Sequence, residues 1–234
     1  MAIQYSLFGG VRITSAEDAP EVLALLGGQY RELASAIDAG ESDTAVYWRI
    51  QFALLSVHSP IEATFEAYRQ VRLWHARFKR LPSRQRLQTL LLGAKGSNGQ
   101  VTQYCWQKSG YMLEFDKAWK SDRTCFTRNG ETDSDWRFRL VRNVKGLGIA
   151  KASFAVALAN PSTSSVCCVD THMWQLWHGQ PPRSSIGKRA YLEVETAIRD
   201  LGASAGLGAF VAQWALWDAK RGFGANAHAC LTLA

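Results

Sequence analysis

One acidic residue stands alone in the middle of the chain. Asp170 is the only aspartate or glutamate between Asp135 and Glu193. A carboxylate beside a developing positive charge stabilises that charge and can position or activate a water molecule. An aspartate also caps helices, and Asp170 directly precedes the apolar segment THMWQLW. The residues alone leave both roles open, and one side chain can serve both.

A glycine-rich turn lies upstream of this carboxylate. Gly146 and Gly148 flank Leu147, and Ala152 follows four residues after the second glycine. Two glycines let the backbone turn sharply between helices, and a small residue one turn later allows close packing. Amides at the start of the next helix can then bind a phosphate. A dinucleotide-binding turn is a poor alternative, because no strand precedes the motif and no third glycine follows at the required spacing.

Positive charge is concentrated in one segment. The chain has 27 basic and 20 acidic residues, and residues 67–113 hold nine of the basic residues and none of the acidic ones. Basic side chains interleaved with aromatic ones are typical of proteins that displace the counterions of a polyanion. A solvated basic face is the other interpretation. The candidate phosphate contacts, interspersed with Trp74, His75 and Phe78, are Arg69, Arg72, Arg84 and Arg86.

Helices are expected to position these residues. Apolar residues recur with helical spacing over residues 46–57, 60–78 and 84–94, and again in YLEVETAIRDLG and LGAFVAQWALWDAKRG. A capped helix is predicted after Ser15 with Gly27 at its end, and Pro60 suits the first helical position behind Ser59. Residues 95–103 and 121–135 are predicted as loops. Because alternating strand patterns are scarce, we predict an all-α fold.

Composition excludes several classes of protein. The chain is 47% hydrophobic, with nine Trp and ten Phe, which is enough for a sizeable core. No stretch approaches the roughly 18 apolar residues of a membrane span, and MAIQYSLFGG lacks the pattern of a signal peptide. The five cysteines show no metal-ligand spacing, and His172, His178 and His228 lack matching Cys or Asp partners. We therefore predict a cytoplasmic protein with reduced thiols, no bound metal and no membrane association.

The turn and the aspartate together resemble the helix-hairpin-helix superfamily of DNA glycosylases, which includes endonuclease III and the 8-oxoguanine DNA glycosylases. Gly146-Leu147-Gly148, a helix of about ten residues, a Pro/Ser-rich loop and Val169-Asp170-Thr171-His172 follow in the order of that superfamily. The segments Asn143–Gly148 and Ala152–Phe154 are most similar to the compact microbial 8-oxoguanine DNA glycosylases. The specific match covers residues 142–177, within a weaker resemblance over residues 46–220.

This resemblance implies a fold of two helical subdomains flanking a DNA-binding cleft. Residues 1–50 would supply N-terminal helices that pack with the C-terminal subdomain, residues 51–168 a central bundle with the hairpin, and residues 169–234 the aspartate segment and the last helices. It implies a monomer that binds double-stranded DNA. No iron-sulfur cluster is expected, because only Cys230 follows Asp170. A monovalent cation at the hairpin is compatible with the resemblance.

The resemblance also assigns roles to residues. Asp170 would be the catalytic carboxylate that stabilises positive charge on the sugar. His58 would lie in a DNA-inserting loop, and the basic segment would add phosphate contacts. The hairpin contacts to DNA would come from Lys145, Gly146, Gly148 and Lys151.

A base that has been flipped out of the duplex must be held between aromatic or apolar surfaces. We predict a pocket formed by Trp174 and by Trp214, Trp217 and Asp218 of the last helix, which supplies base contacts in relatives of this type. Each tryptophan could instead belong to the core. Asp218 could equally pair with Arg221.

One position departs from the bifunctional relatives, which place a lysine two residues after the second hairpin glycine to form a Schiff base with the sugar. This chain has Ala150 there. Lys151 is adjacent, but a helical step of about 100° aims it elsewhere, so a phosphate contact is its simpler role and catalysis its alternative. We predict a monofunctional glycosylase that leaves an abasic site.

The target base stays open at this point. An oxidised guanine follows from the resemblance, and a hypermodified viral base, met in phage defence or phage DNA modification, would suit the same scaffold. The alternative is a protein that binds DNA or modifies its bases without excising them.

Overall fold

The computed structural model describes residues 4–5, 11–37, 42–95, 99 and 101–222. These residues fall into two compact units: one takes the residues up to position 37 with those from 156 to 222, and the other takes residues 42–155. Within these ranges the structure is helical apart from one short strand pair, which confirms the all-α prediction. The division at residues 50 and 168 stays a prediction.

The first unit is built around its last helix. Strands β1 (Gln4–Tyr5) and β2 (Val11–Arg12) pair antiparallel. They are followed by a short 3-10 helix over Ala16–Asp18, and then by four α-helices that share this unit's core. The four helices are α1 (Ala19–Ile37), α8 (Thr171–His178), α9 (Lys188–Ser204) and α10 (Ala209–Arg221). Helix α10 packs against the other three, so almost all of its side chains are buried.

The second unit is centred on the first of its helices. Every residue of α2 from Val46 to Leu55 is buried, and its aromatic rings stack with those of α3 and α5. A 3-10 helix over Arg123–Cys125 precedes α6. The helices are α2 (Asp43–Leu55), α3 (Ile61–Phe78), α4 (Arg84–Gly93), α5 (Cys105–Ser121), α6 (Asp133–Asn143) and the start of α7 (Ile149–Ala157).

Two predicted helix ends are wrong. Helix α1 does not stop at Gly27 but continues to Ile37; a Cβ at Gly27 would lie 2.7 Å from Cδ1 of Leu207, so this glycine permits close packing rather than ending a helix. At the start of α3, Pro60 is itself the N-cap and gives no side-chain hydrogen bond. The hydroxyl of Ser59 instead accepts from the α5 region.

Other local predictions differ in detail. Helix α5 is not predicted by the sequence analysis, because buried Lys108 and Ser109 interrupt its apolar pattern. The predicted loop over residues 121–135 includes the second 3-10 helix and the first turn of α6, for which Thr132 is the N-cap. In the predicted loop over residues 95–103, residues 96–98 and 100 lie outside the described part of the chain, and Lys95 bridges to Val101.

Candidate active site

The side chain of Asp170 caps helix α8. Its Oδ1 accepts hydrogen bonds from the backbone N–H of His172 at 2.9 Å and of Met173 at 3.0 Å. The backbone of Asp170 is extended (φ −92°, ψ −173°), as an N-cap position requires. These bonds satisfy two of the amides that the first turn of a helix leaves without an intrahelical acceptor. The capping role predicted for Asp170 is therefore confirmed.

The second oxygen of this carboxylate is held from the last helix. The indole Nε1–H of Trp217 donates to Oδ2 of Asp170 at 2.9 Å. The Trp217 ring meets the His172 ring edge-on, with the two centroids 6.1 Å apart. The Arg221 guanidinium lies over the Trp217 ring, 4.4 Å from its centroid. Three N–H donors thus complement the negative charge of Asp170 and fix its orientation. Since a carboxylate has about four acceptor sites, the described residues leave one on Oδ2 for a further donor.

The neighbouring α10 residues of the predicted base pocket lie in the core. The hydroxyl of Tyr30 donates to Oδ2 of buried Asp218, whose Oδ1 has no hydrogen-bond partner among the described residues. Burial raises the pKa of Asp218 to about 6, against smaller lowering effects of Tyr30 and Arg221. Trp214 is also buried, edge-on to Tyr30 at 5.4 Å. A pocket role for Trp214 and Asp218 stays a prediction that would require α10 to expose them.

Trp174 faces a different environment. It lies one turn after Asp170 on α8, and its ring packs on His178 with centroids 4.0 Å apart. Both rings line an open groove of about 320 Å³, whose other wall is formed by residues 180–187 with Arg183 among them. Among the predicted base-pocket residues, Trp174 thus lines a groove in this unit. Its contact with a base stays a prediction.

The predicted turn joins two helices. Helix α6 ends at Asn143, Val144 donates to the Leu140 carbonyl, and Ala152 N–H donates to Gly148 O at 2.9 Å in the first turn of α7. Gly146 has φ +92°, and a Cβ there would lie 2.4 Å from the Tyr111 ring, so both conformation and packing demand glycine. Apart from Gly148 itself and its two chain neighbours, no described atom lies within 4 Å of a Cβ built at this position. The turn therefore leaves the start of α7 open to an anion.

Two lysines flank this turn. The Lys145 ammonium pairs with Glu114 at 3.2 Å, and both side chains are exposed. The Lys151 ammonium lies over the Phe154 ring, 5.5 Å from its centroid, on the first turn of α7. An exposed ion pair is weak and yields readily to a phosphate. Both lysines are thus available to a polyanion at the hairpin.

Three arginines of the basic segment lie over aromatic rings, and two of them, Arg84 and Arg86, are also exposed to solvent. The guanidinium of Arg72 lies 4.9 Å from the Trp48 ring centroid, that of Arg84 lies 4.0 Å from Trp106, and that of Arg86 lies 5.6 Å from Trp74. Arg69 differs, because its guanidinium makes two hydrogen bonds to Glu66 at 2.8 and 2.9 Å. This two-bond pair is shorter and less exposed than the pair of Lys145 with Glu114, so Glu66 offsets more of the charge of Arg69 and leaves it a smaller part in a positive surface.

The turn between α2 and α3 contains His58, which has φ +48°. Its ring lies 5.6 Å from the ring of Tyr104, which has φ +53° and is 55% exposed just before α5. The sequence points to His58 but not to Tyr104, although an aromatic residue next to a polar loop is an available signal. The bond from Trp217 to Asp170 and the buried amine of Lys108 are not predicted either.

No group of three or more His, Cys, Asp or Glu side chains comes together to hold a metal ion within the described ranges. No helix there is long and apolar enough to cross a membrane. Cys105 and Cys125 are free thiols, whereas His228 and Cys230 lie outside the described residues. A monovalent cation at the hairpin stays a prediction.

The chain was compared with protein families, curated proteins and solved structures. No family model matches the chain, and no curated protein does. Among solved structures, the 8-oxoguanine DNA glycosylase of Methanocaldococcus jannaschii aligns with a TM-score of 0.65 and 18% identity over 85% of this chain and 90% of that one. An M. jannaschii 8-oxoguanine glycosylase/lyase bound to a 15-mer DNA containing 8-oxoguanine aligns with a TM-score of 0.66 and 17% identity, covering 88% and 96% of the two chains.

The 8-oxoguanine DNA glycosylase of Thermotoga maritima gives a TM-score of 0.63 and 20% identity, and covers 88% of this chain and 94% of its own. The helices, the hairpin and the aspartate-capped α8 thus occur in one chain whose backbone follows these enzymes over most of its length. The chain has the helix-hairpin-helix fold of the 8-oxoguanine DNA glycosylases.

Proposed function

We propose that this chain is a DNA N-glycosylase, which hydrolyses the bond between a modified base and its deoxyribose in double-stranded DNA. The observation that carries the proposal is the Asp170 carboxylate, which three N–H donors fix while no described residue uses the remaining acceptor site on Oδ2. The fold supports the same conclusion, because the solved structures that share it are DNA glycosylases.

The reaction follows from the chemistry of a fixed carboxylate. The C1′–N bond breaks, its electron pair leaves with the base, and positive charge develops on the sugar. Asp170 stabilises that charge electrostatically. A water molecule then adds its oxygen to C1′, and one of its protons passes to Oδ2, which has an acceptor site that no described residue uses. That proton then passes through solvent to the nitrogen of the departed base, which leaves Asp170 ionised again. The products are the free base and an abasic site.

The hairpin would anchor the DNA backbone during this reaction. Amides at the start of α7 have no intrahelical acceptor, and the helix dipole favours an anion there. The open space at Gly148 lets a phosphate approach, and Lys145 and Lys151 supply positive charge on either side. Such contacts position the enzyme without reading the sequence.

We further propose that the enzyme is monofunctional. Ala150 stands where bifunctional relatives carry the lysine that forms a Schiff base, and an alanine offers no nucleophile. Lys151 is the adjacent amine, but its ammonium packs over Phe154 on the same helix. Strand cleavage would then require a later step, such as heat or alkali.

The base itself is left to experiment. An oxidised guanine is the first candidate, since two of the neighbours with this fold are named as 8-oxoguanine DNA glycosylases and the third was crystallised with DNA containing 8-oxoguanine. A hypermodified base is the second candidate, because the open groove at Trp174 and Arg183 has room for a polar substituent.

The test is incubation with duplex oligonucleotides that each carry one modified base. Mass spectrometry would identify any released base, alkali would reveal abasic sites, and borohydride would trap a Schiff base. The proposal expects base release and alkali-dependent strand breaks, with no trapped adduct. An adduct that vanishes in Lys151→Ala would make Lys151 the nucleophile. Tight duplex binding without release of any base would leave the alternative of a non-excising DNA-binding or base-modifying protein.

A further inference from the structure

Lys108 is a lysine buried in the second unit, where a charge is costly. Its side chain is 1% exposed. Its Nζ donates to the carbonyl of Leu55 at 2.7 Å, at the last residue of α2, and to the hydroxyl of Ser59 at 2.5 Å. Both acceptors belong to the connection between α2 and α3. Lys108 thus reaches from the first turn of α5 to both sides of a neighbouring turn.

The same turn is tied to the chain just before α5 by a second bond. The hydroxyl of Ser59 also accepts from the backbone N–H of Gln103 at 3.0 Å. Between the two acceptors of Lys108 lies His58, and after Gln103 comes Tyr104, both with left-handed backbones that non-glycine residues rarely adopt. Their rings meet at 5.6 Å. Two strained turns are therefore held side by side, with Lys108 and Ser59 as the link between them.

We propose that Lys108 is a positioning residue, whose amine ties the turn over residues 56–60 to the start of α5 and thereby holds His58 in the orientation in which it contacts DNA. The DNA contact rests on the proposed function, whereas the tie rests on the hydrogen bonds alone. Strained backbone conformations persist where their surroundings over-determine them. Lys108 supplies part of that constraint from outside the turn.

We expect the protonation of the Lys108 amine to be linked to DNA binding. Burial is the main cause that lowers the pKa of Lys108 to about 7; Cys105 on α5 opposes this shift, and the charge of Lys151 on α7 adds to it. A neutral amine can still donate twice, which is enough for Leu55 and Ser59. A DNA phosphate at Lys151 would offset the repulsion between the two lysines and favour the ammonium. Binding should then take up a proton and weaken as the pH rises through about 7.

The experiment measures duplex affinity by fluorescence anisotropy from pH 6 to 8.5 at constant ionic strength. It compares the wild type with Lys108→Met, which removes the amine, and with Ser59→Ala, which removes one acceptor and keeps the lysine. Lys117→Met is the matched control, because Lys117 is an exposed lysine on the same helix. The His58 ring resonance of the free proteins is followed by NMR, and circular dichroism checks that each variant is folded.

We expect Lys108→Met to weaken duplex binding about tenfold below pH 7. The pH profile of the affinity should become flat in this variant, whereas the control Lys117→Met should keep the wild-type profile. Ser59→Ala should weaken binding in the same direction, and both variants should shift the His58 resonance. The proposal would be overturned if both variants are folded and yet match the wild type in duplex affinity, in the pH profile of that affinity and in the His58 resonance. If the wild type binds no duplex DNA, the proposed function fails, while the His58 resonance still decides whether Lys108 holds the turn.

Discussion

Replacing Trp217 with phenylalanine tests whether the orientation of Asp170 matters for the reaction. The change removes the indole N–H that donates to Oδ2 at 2.9 Å and keeps an aromatic face for the Arg221 guanidinium. Both bonds to Oδ1 remain, so α8 keeps its cap and the variant should fold. A hydrogen bond to a charged group contributes about 1.5–3 kcal/mol.

Trp217 and Asp170 are both half-buried, so water can replace part of the lost bond and the lower end of that range applies. A loss of about 1.5 kcal/mol corresponds to roughly a tenfold slower reaction. The assay is single-turnover base excision at saturating enzyme, which separates chemistry from binding. Trp177→Phe is the control, because Trp177 is a half-buried tryptophan on α8. An unchanged rate in Trp217→Phe, or an equal loss in Trp177→Phe, would refute the reasoning.

Three further predictions concern the hairpin, the buried lysine and the basic segment. Gly146→Ala should destabilise the fold by about 2 kcal/mol in thermal unfolding, because φ is +92°, whereas Gly148→Ala should unfold like the wild type and only weaken duplex binding. The free energy of unfolding should rise between pH 7 and 10, because the unfolded chain binds more protons at Lys108 than the folded chain does. Lys108→Met should flatten this rise. If the variant keeps the wild-type dependence of unfolding free energy on pH, the lowered pKa of Lys108 is contradicted. Arg86→Ala should lower the slope of log K against log salt by about 0.9, while Arg69→Ala should change it less, because Glu66 already offsets part of its charge.

The sequence predicted the parts of the site that are local in the chain. The cap at Asp170 and the turn at Gly146 each depend on a few consecutive residues, so residue type and spacing suffice to identify them. The bond from Trp217 to Asp170 joins residues 47 apart, and nothing in the helical spacing of α10 singles it out. Asp218 shows the same limit, because one step along α10 turns it into the core beside Tyr30.

Lys108 was missed for a different reason. In a sequence pattern a lysine counts as surface charge, because lysine is almost never fully buried without a partner. Its acceptors, Leu55 and Ser59, lie about fifty residues earlier in the chain. The wrong prediction that the first helix ends at Gly27 has a similar cause. Glycine often follows the end of a helix, but Gly27 lies inside α1, where it allows a close contact with Leu207. Both cases depend on tertiary packing.

The most direct test of the account is the excision rate of Asp170→Asn on the base that the oligonucleotide panel identifies. Asparagine keeps the shape and the capping oxygen, so α8 and duplex affinity should be preserved. Loss of the charge should remove on the order of 3 kcal/mol of transition-state stabilisation, about a hundredfold in single-turnover rate. Normal excision by Asp170→Asn would reduce Asp170 to a helix cap and contradict the proposed mechanism.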